Sequence, residues 1–316
     1  MRTRPARAQG RARPVADARP REAVVVLNVH SRRAAHDVRR VHELLRAHRV
    51  PVAAFHAVAN HVEVRRCALR AAQASAPVVV VGGGDGTMAH AVDALAKRDS
   101  ILGVLPLGTG NSFAQSLGLD PHDLDAAVGV IARGHAERID LGNVNGTYFA
   151  NFAAIGLSSE IAGATPPGVK RWAGPIAYGI AALRPLFTHG SFRARIRWKG
   201  GKLVVRTQDI IVANGRFFGS TPIAPDATLV DGRLSLFTTD NPSRIGALRT
   251  YVAFGMHDQA ALRGAHVINA AKFEIRTRAK QKISVDGSLL EQTPARFRVA
   301  REALRVFVPE SGVARG

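Results

Sequence analysis

One cysteine, Cys67, stands in 316 residues. An internal disulfide is therefore excluded, and the chain fits a reducing compartment. Cys67 falls in an expected helix over 61–74, where a buried structural thiol is the expected state. No apolar run reaches the ~20 residues of a membrane-spanning helix. Acidic residues are few: 24 Asp plus Glu stand against 44 Lys plus Arg, a formal net charge of +20. A surplus of that size calls for an anionic partner, whether nucleic acid, an anionic membrane face or a phosphorylated substrate. Aromatic residues are also few, at 6%. No RNA-recognition motif, zinc-finger spacing or helix-turn-helix accompanies them, so no nucleic-acid partner is expected. Residues 1–22 are rich in Arg, Ala and Pro and lack an apolar h-region. That excludes a secretory signal and predicts a disordered basic tail.

Two familiar catalytic patterns are also absent. His42-Glu43 begins like H-E-x-x-H, but Arg46 stands where the second histidine belongs. Gly156-Leu-Ser-Ser-Glu160 ends in Glu where G-x-S-x-G needs Gly.

What is present is a long, apolar chain, 46% hydrophobic. At roughly 100–200 residues per domain its length predicts two domains. The first half alternates strands (23–29, 51–58, 78–81, 101–105) with helices (34–48, 62–74, 87–97). Apolar strands alternating with helices predict a parallel sheet covered on both faces. Near Glu137 the pattern changes to strands. Phe192-Arg-Ala-Arg-Ile-Arg-Trp-Lys199 alternates apolar and basic residues. Gly200-Gly201 is read as the turn into a returning strand over 203–207, and 272–278 alternates likewise. Helices are expected over 175–187 and 242–254. The fold class is thus α/β plus β-rich: a tail over 1–22, a nucleotide-binding domain over 23–136 and a β-rich acceptor domain over 137–310. The C-terminal end is allowed to pack back on the first domain, and the site is expected between the two, where clefts form. No pattern fixes an oligomeric state.

Two glycine loops follow buried strands. Val78-Val-Val-Val-Gly-Gly-Gly-Asp-Gly-Thr87 places backbone N–H groups at a helix N-terminus, a geometry suited to phosphate. It is not Walker A, because no Lys follows the last Gly. It is not the dinucleotide fingerprint, because Thr87 takes the third glycine's place. A purely structural glycine turn remains open. Leu105-Pro-Leu-Gly-Thr-Gly-Asn111 ends the next strand, and neighbouring parallel strands present such loops to one crevice.

GGGDGT at 82–87 followed by PLGTGNSFAQSLGL at 106–119 resembles the diacylglycerol kinase catalytic domain, shared by bacterial lipid kinases and sphingosine kinases. The resemblance continues in order through 149–156 (FANFAAIG), 169–178 (VKRWAGPIAY), 212–219 (VANGRFFG), 224–227 (APDA) and 285–287 (VDG), and covers about 22–309. It implies ATP with Mg²⁺, a hydroxylated lipid as acceptor, and a peripheral position at the cytoplasmic membrane face. Asn28, Ser31, Gly83, Gly84, Asp85, Gly86, Thr87, Gly108, Thr109, Gly110 and Asn111 are the implied nucleotide-binding residues. Asp286 is the implied general base; an Asp-Gly hairpin turn is the competing reading of Asp286-Gly287. Asp85 is read as organising the metal–nucleotide complex, with a base role or a helix N-cap as alternatives. GGDGT also occurs in NAD kinases, which leaves an NAD-kinase-like enzyme as the alternative.

The chain departs from the family pattern at acidic positions. Ser112, Val230, Ser235 and Ser288 stand where carboxylates are usual, and Val29 and Arg32 replace residues of the first loop. Asp231, with Asp226, is left to hold the secondary metal that the resemblance implies, where a hard cation wants several oxygen ligands. A catalytically weakened relative stays open for the same reason. Glu291 is near Ser288 in sequence. Arg193, Arg195, Arg197 and Lys199 form one candidate membrane-facing surface, and Lys170 with Arg171 another.

Overall fold

The computed structural model describes residues 13–15, 22–29, 34–164, 190–218, 221–222, 227–240 and 265–313. The chain forms two compact units: Met1–Leu141 with Ala224–Gly232 and Ala300–Gly316, and Gly142–Ile223 with Arg233–Val299. Outside the described residues lie the expected helices over 175–187 and 242–254, Ser31, Arg32, Lys170, Arg171 and Asp226.

The first elements are β1 (Arg13–Pro14), β2 (Ala23–Asn28), α1 (Ala34–Ala47), β3 (Val52–Val58), α2 (His61–Gln73), β4 (Val78–Gly83), α3 (Asp85–Leu95), β5 (Ile101–Pro106), α4 (Ser112–Ser116) and α5 (Leu124–Arg133). Then come β6 (Ala136–Val144), β7 (Thr147–Phe149), β8 (Phe152–Gly156), α6 (Leu157–Ala164), β9 (Phe192–Trp198), β10 (Gly201–Thr207), β11 (Asp209–Ala213), β12 (Phe217–Phe218) and β13 (Thr221–Pro222). The last are β14 (Leu234–Thr239), β15 (Ala265–Ala270), β16 (Lys272–Thr277), β17 (Lys282–Val285), β18 (Ser288–Gln292) and β19 (Ala295–Phe307). No helix among the described residues is long and apolar enough to cross a membrane.

In the first unit the strand order is β3-β2-β4-β5-β19, with every neighbour parallel. β4 and β5 are buried throughout, as strands covered on both faces must be. The connection β2-α1-β3 moves toward one edge, and β3-α2-β4 moves back past β2. Right-handed crossovers therefore put α1 and α2 on opposite faces. α2 is set by its cap: Asn60 Oδ1 accepts the Glu63 N–H at 2.9 Å, and Glu63 Oε2 accepts the Ala59 N–H at 3.1 Å. Cys67, on α2, is half-buried rather than buried.

Residues 13–15 correct the expectation of disorder across 1–22. Arg13 and Pro14 pair antiparallel with Arg138 and Glu137 of β6, and Val15 N–H donates to Ala136 at 2.8 Å. β6 offers backbone groups there that a passing segment can satisfy.

In the second unit all pairings are antiparallel. One sheet runs β10-β9-β16 and on to residues 295–298 of β19; the other runs β15-β14-β11-β8-β17-β18. Phe149, Ile155, Ile196, Ile210, Phe273 and Phe297 share one buried cluster drawn from both sheets. The hairpin joining β9 to β10 turns at Lys199-Gly200, one residue before the expected turn. Gly201 already pairs with Trp198, and a side chain on Gly201 would stand 2.6 Å from the Trp198 ring.

Candidate functional site

The parallel strands β2 and β4 end level, with Leu27 opposite Gly82. From there the chain leaves β2 toward β3 and β4 toward β5, so the strand order reverses between them. The carboxyl ends of such a pair form an open crevice. The glycine loop after β4 and Asn28 at the end of β2 both lie at this point.

The glycines are required by contact as much as by any ligand. A Cβ on Gly82 would stand 2.3 Å from Leu27 Cδ2, and one on Gly83 2.5 Å from Thr87 Oγ1. A Cβ on Gly108 would stand 2.4 Å from the Gly84 Cα. The two glycine loops thus touch backbone to backbone. Gly86 differs, since its nearest neighbour would be the His61 ring at an ordinary 3.5 Å.

Asn28 links two residues, Thr87 and His61. Its Nδ2 donates to Thr87 Oγ1 at 2.9 Å and lies 3.2 Å from His61 Nδ1. Its Oδ1 is buried and has no hydrogen-bond partner among the described residues. Thr87 is only 2% exposed. Its oxygen accepts from Asn28, which leaves its own O–H as a donor. His61, one residue beyond the α2 cap, stacks on His90 with centroids 5.5 Å apart and planes 6° apart. Burial pushes the His90 pKa below its ordinary value, against the attraction of Asp93. Sequence reading missed His61, since nothing in a lone histidine at a helix start marks it as a neighbour of residues 26 and 33 positions away.

Asn111 closes the second loop. In left-handed conformation, φ +48, it accepts the Gly108 N–H at 3.0 Å and donates to Gly108 O at 2.9 Å and Pro121 O at 2.8 Å. Its amide is thus committed to the loop, whose exposed tip is Thr109. Gly110 O accepts from Gln115 Nε2 at 2.7 Å.

Asp85 opens α3, whose N-cap is Gly84. Its carboxylate reaches across to the next helix: Oδ1 accepts the Phe113 N–H at 3.2 Å and Oδ2 the Ser112 hydroxyl at 3.1 Å. The negative charge of Asp85 is thus shared by the start of α4 and by Ser112. One such carboxylate suits a Mg²⁺ ion that keeps most of its waters and shares phosphate oxygens, and does not make a protein cage. Among the described residues no three His, Cys, Asp or Glu side chains gather as a metal site. Asp231 is half-buried beside Gly232. Its loop is tied by Asp140, whose Oδ2 accepts the Gly232 N–H and Oδ1 the Glu302 N–H, both at 2.8 Å. A Cβ on Gly232 would meet the Arg301 guanidinium at 2.4 Å. That guanidinium brings positive charge beside Gly232, where a divalent cation would need several oxygens. Burial raises the Asp140 pKa, offset in part by its two N–H donors and Arg301.

Asp286 lies in the second unit, where it and Gly287 form the hairpin turn between β17 and β18, both with positive φ (+44 and +87). Its side chain is nonetheless only 6% exposed. Oδ2 accepts the Ala150 N–H at 2.8 Å; Oδ1 accepts those of Asn151 at 3.0 Å and Phe152 at 2.9 Å. Three N–H donors fix the carboxylate's orientation and stabilise its charge. Glu291 is occupied elsewhere, accepting the Thr147 hydroxyl at 2.8 Å.

Comparison with known proteins agrees on one family. The Diacylglycerol kinase catalytic domain matches residues 22–144, and the YegS C-terminal NAD kinase beta sandwich-like domain matches residues 154–308. A diacylglycerol kinase of Staphylococcus carnosus is 31% identical over 253 residues, covering 76% of this chain and 79% of its own. A crystal structure of a diacylglycerol kinase from Bacillus anthracis superposes with a TM-score of 0.71 at 20% identity, covering 92% of this chain and 98% of its own. A second Bacillus anthracis protein, provisionally assigned the same way, gives a TM-score of 0.79 at 21% identity over 92% and 96% of the two chains. The structures share the fold.

Proposed function

The chain belongs to the diacylglycerol kinase family, and from that premise we propose that it transfers the γ-phosphate of Mg·ATP to a hydroxyl of a diacylglycerol-like lipid at an anionic membrane surface. The observation that carries this reading is the pair of touching glycine loops beside Thr87, whose oxygen is already supplied by Asn28. The bare glycines let the two loops close on each other and offer backbone N–H groups, and the Thr87 hydroxyl, which accepts from Asn28, keeps its O–H as a donor. The first turn of α3 adds its N–H groups and dipole. Thr109, at the loop tip, is the exposed hydroxyl of the second loop, and Ser31 is assigned with it from the family pattern.

Phosphoryl transfer rests on positioning and on charge stabilisation. Mg²⁺, when bound, neutralises charge on the transferred group, and Asp85 is the residue assigned to hold its water shell. Asp286 is assigned to take the proton of the acceptor hydroxyl. The oxygen–phosphorus bond forms as the bond to the β–γ bridging oxygen breaks, and ADP leaves. Its fixed orientation supports that role.

The test is transfer of labelled γ-phosphate to a panel of hydroxylated lipids in mixed micelles, with NAD as a parallel acceptor. Labelled lipid is expected. Label on NAD would replace this reading with a pyridine-nucleotide kinase, which the shared GGDGT and the match of residues 154–308 to an NAD kinase-like sandwich support. Asp286→Asn is expected to lower turnover per folded molecule at least 100-fold with ATP affinity kept. Its amide would also face an N–H, costing about 1–3 kcal/mol, so melting is read alongside. Loss of ATP binding together with turnover would remove Asp286 as the base. Asp85→Asn is expected to weaken the use of Mg·ATP, and unchanged kinetics would take Asp85 out of the site.

A further inference from the structure

β9 alternates strictly, so Arg193, Arg195 and Arg197 face away from the core while Phe192, Ala194 and Ile196 face into it. Cross-strand register extends that outer face over its neighbours. β10 adds Lys202, Val204 and Arg206 opposite the three arginines. On the other side β16 adds Arg276 opposite Arg195, Glu274 opposite Arg197, and Lys272 at its start. Beyond it, β19 adds Arg296 and Arg298. All eleven residues are exposed, and nine are Lys or Arg. None of the nine makes an ion pair among the described residues.

The pairing is unfavourable for the free protein. Arg193 opposes Arg206, Arg197 opposes Lys202, Arg195 opposes Arg276, and Lys272 opposes Arg298. Like charges directly opposite on antiparallel strands destabilise a sheet. Glu274 is the only acid among the eleven. An arrangement that costs stability in the monomer is offset when an anionic surface supplies the missing charge.

We infer that the outer face of β10-β9-β16-β19 is the docking surface for an anionic lipid bilayer. The inference rests on the reading of the protein as a lipid kinase. The face has the breadth of four strands, spaced about 4.8 Å apart, and presents Arg and Lys side chains to a plane. Each cation near such a surface strengthens binding by about fivefold. Sheet faces that bind RNA stack bases on exposed aromatic rings. None of the eleven positions is aromatic, and Trp198 pairs with Phe273 on the core-facing side. The charge complementarity therefore favours lipid headgroups over nucleic acid.

The experiment is sedimentation of the protein with vesicles of phosphatidylcholine, alone or mixed with phosphatidylglycerol. The face variant carries Arg195→Glu, Arg197→Glu and Arg276→Glu. The control variant carries Arg39→Glu, Arg40→Glu and Arg46→Glu on the exposed side of α1, giving the same net charge. Wild type and control are expected to bind only the anionic vesicles. The face variant is expected to bind at least roughly 100-fold more weakly, from three contributions of about fivefold each. Equal losses in both variants would reduce the effect to bulk charge and overturn the proposal, as would undiminished binding by the face variant. So would tighter binding of a single-stranded RNA than of vesicles at equal salt, abolished in the face variant. A triple Gln variant at the same positions serves if the Glu variant fails to fold. Phosphoryl transfer to a short-chain diacylglycerol in neutral micelles is expected to be unchanged in the face variant. If wild type transfers to no acceptor, the kinase reading fails, while the vesicle comparison still decides the docking face.

Discussion

A methyl group at Gly108 would stand 2.4 Å from one backbone atom and 2.8 Å from Asn111 Oδ1, which is itself held by the loop. Moving Gly84 would part the two loops, and moving Asn111 would open the second. Gly108→Ala is therefore expected to weaken Mg·ATP binding at least tenfold, about 1.4 kcal/mol, in a protein that still folds. Isothermal titration reads this directly, and an unchanged Kd would mean that the loops do not hold the nucleotide. His90 makes a separate prediction. Its pKa is lowered by burial, so folding favours the neutral ring. Its contribution is complete above its unfolded value of about 6.5 and is lost as pH falls through the lower folded value. The drop in urea midpoint from neutral pH to about pH 5.5 is expected to be smaller in His90→Gln than in wild type.

At the scale of elements, α4 is a five-residue helix whose start is satisfied from another helix, by Asp85. Ser112→Ala removes one hydrogen bond to that carboxylate and is expected to cost about 0.5–1.5 kcal/mol by denaturant unfolding. β9 predicts the opposite sign. Arg195→Gln relieves the opposition with Arg276, and is expected to raise stability by a few tenths of a kcal/mol at low salt. The gain should vanish as salt rises; a loss of stability would mean that the arginine contributes packing that outweighs repulsion. Strand alternation made the basic side of β9 legible in sequence. The three strands that widen it were not, because register between β9, β10, β16 and β19 is set by pairing across distant segments.

For the whole molecule, a net charge of +20 is a source of self-repulsion. Raising salt toward about 0.5 M, where the screening length is a few ångströms, is expected to raise the melting temperature. The same change is expected to lower partitioning onto anionic vesicles. The two trends have opposite sign because screening weakens repulsion within the chain and attraction to the bilayer alike. Parallel trends would show that something other than charge governs one of them.

The sequence by itself determined the alternating strands and helices of residues 22–106, the strand-rich remainder, and both glycine loops. These follow from local patterning, which short-range sterics and apolar burial translate directly into structure. It also contained Asp286 and left open whether that residue is a turn or a site; the fold makes it a buried hairpin carboxylate with three N–H donors. Tertiary structure alone decided that Asn28 supplies Thr87, that His61 joins them, that Asp85 spends its oxygens on α4, and that Arg301 stands beside Gly232. Each of those is a contact between segments far apart in the chain. A residue's own neighbourhood in sequence carries no record of which distant strand or helix will pack against it.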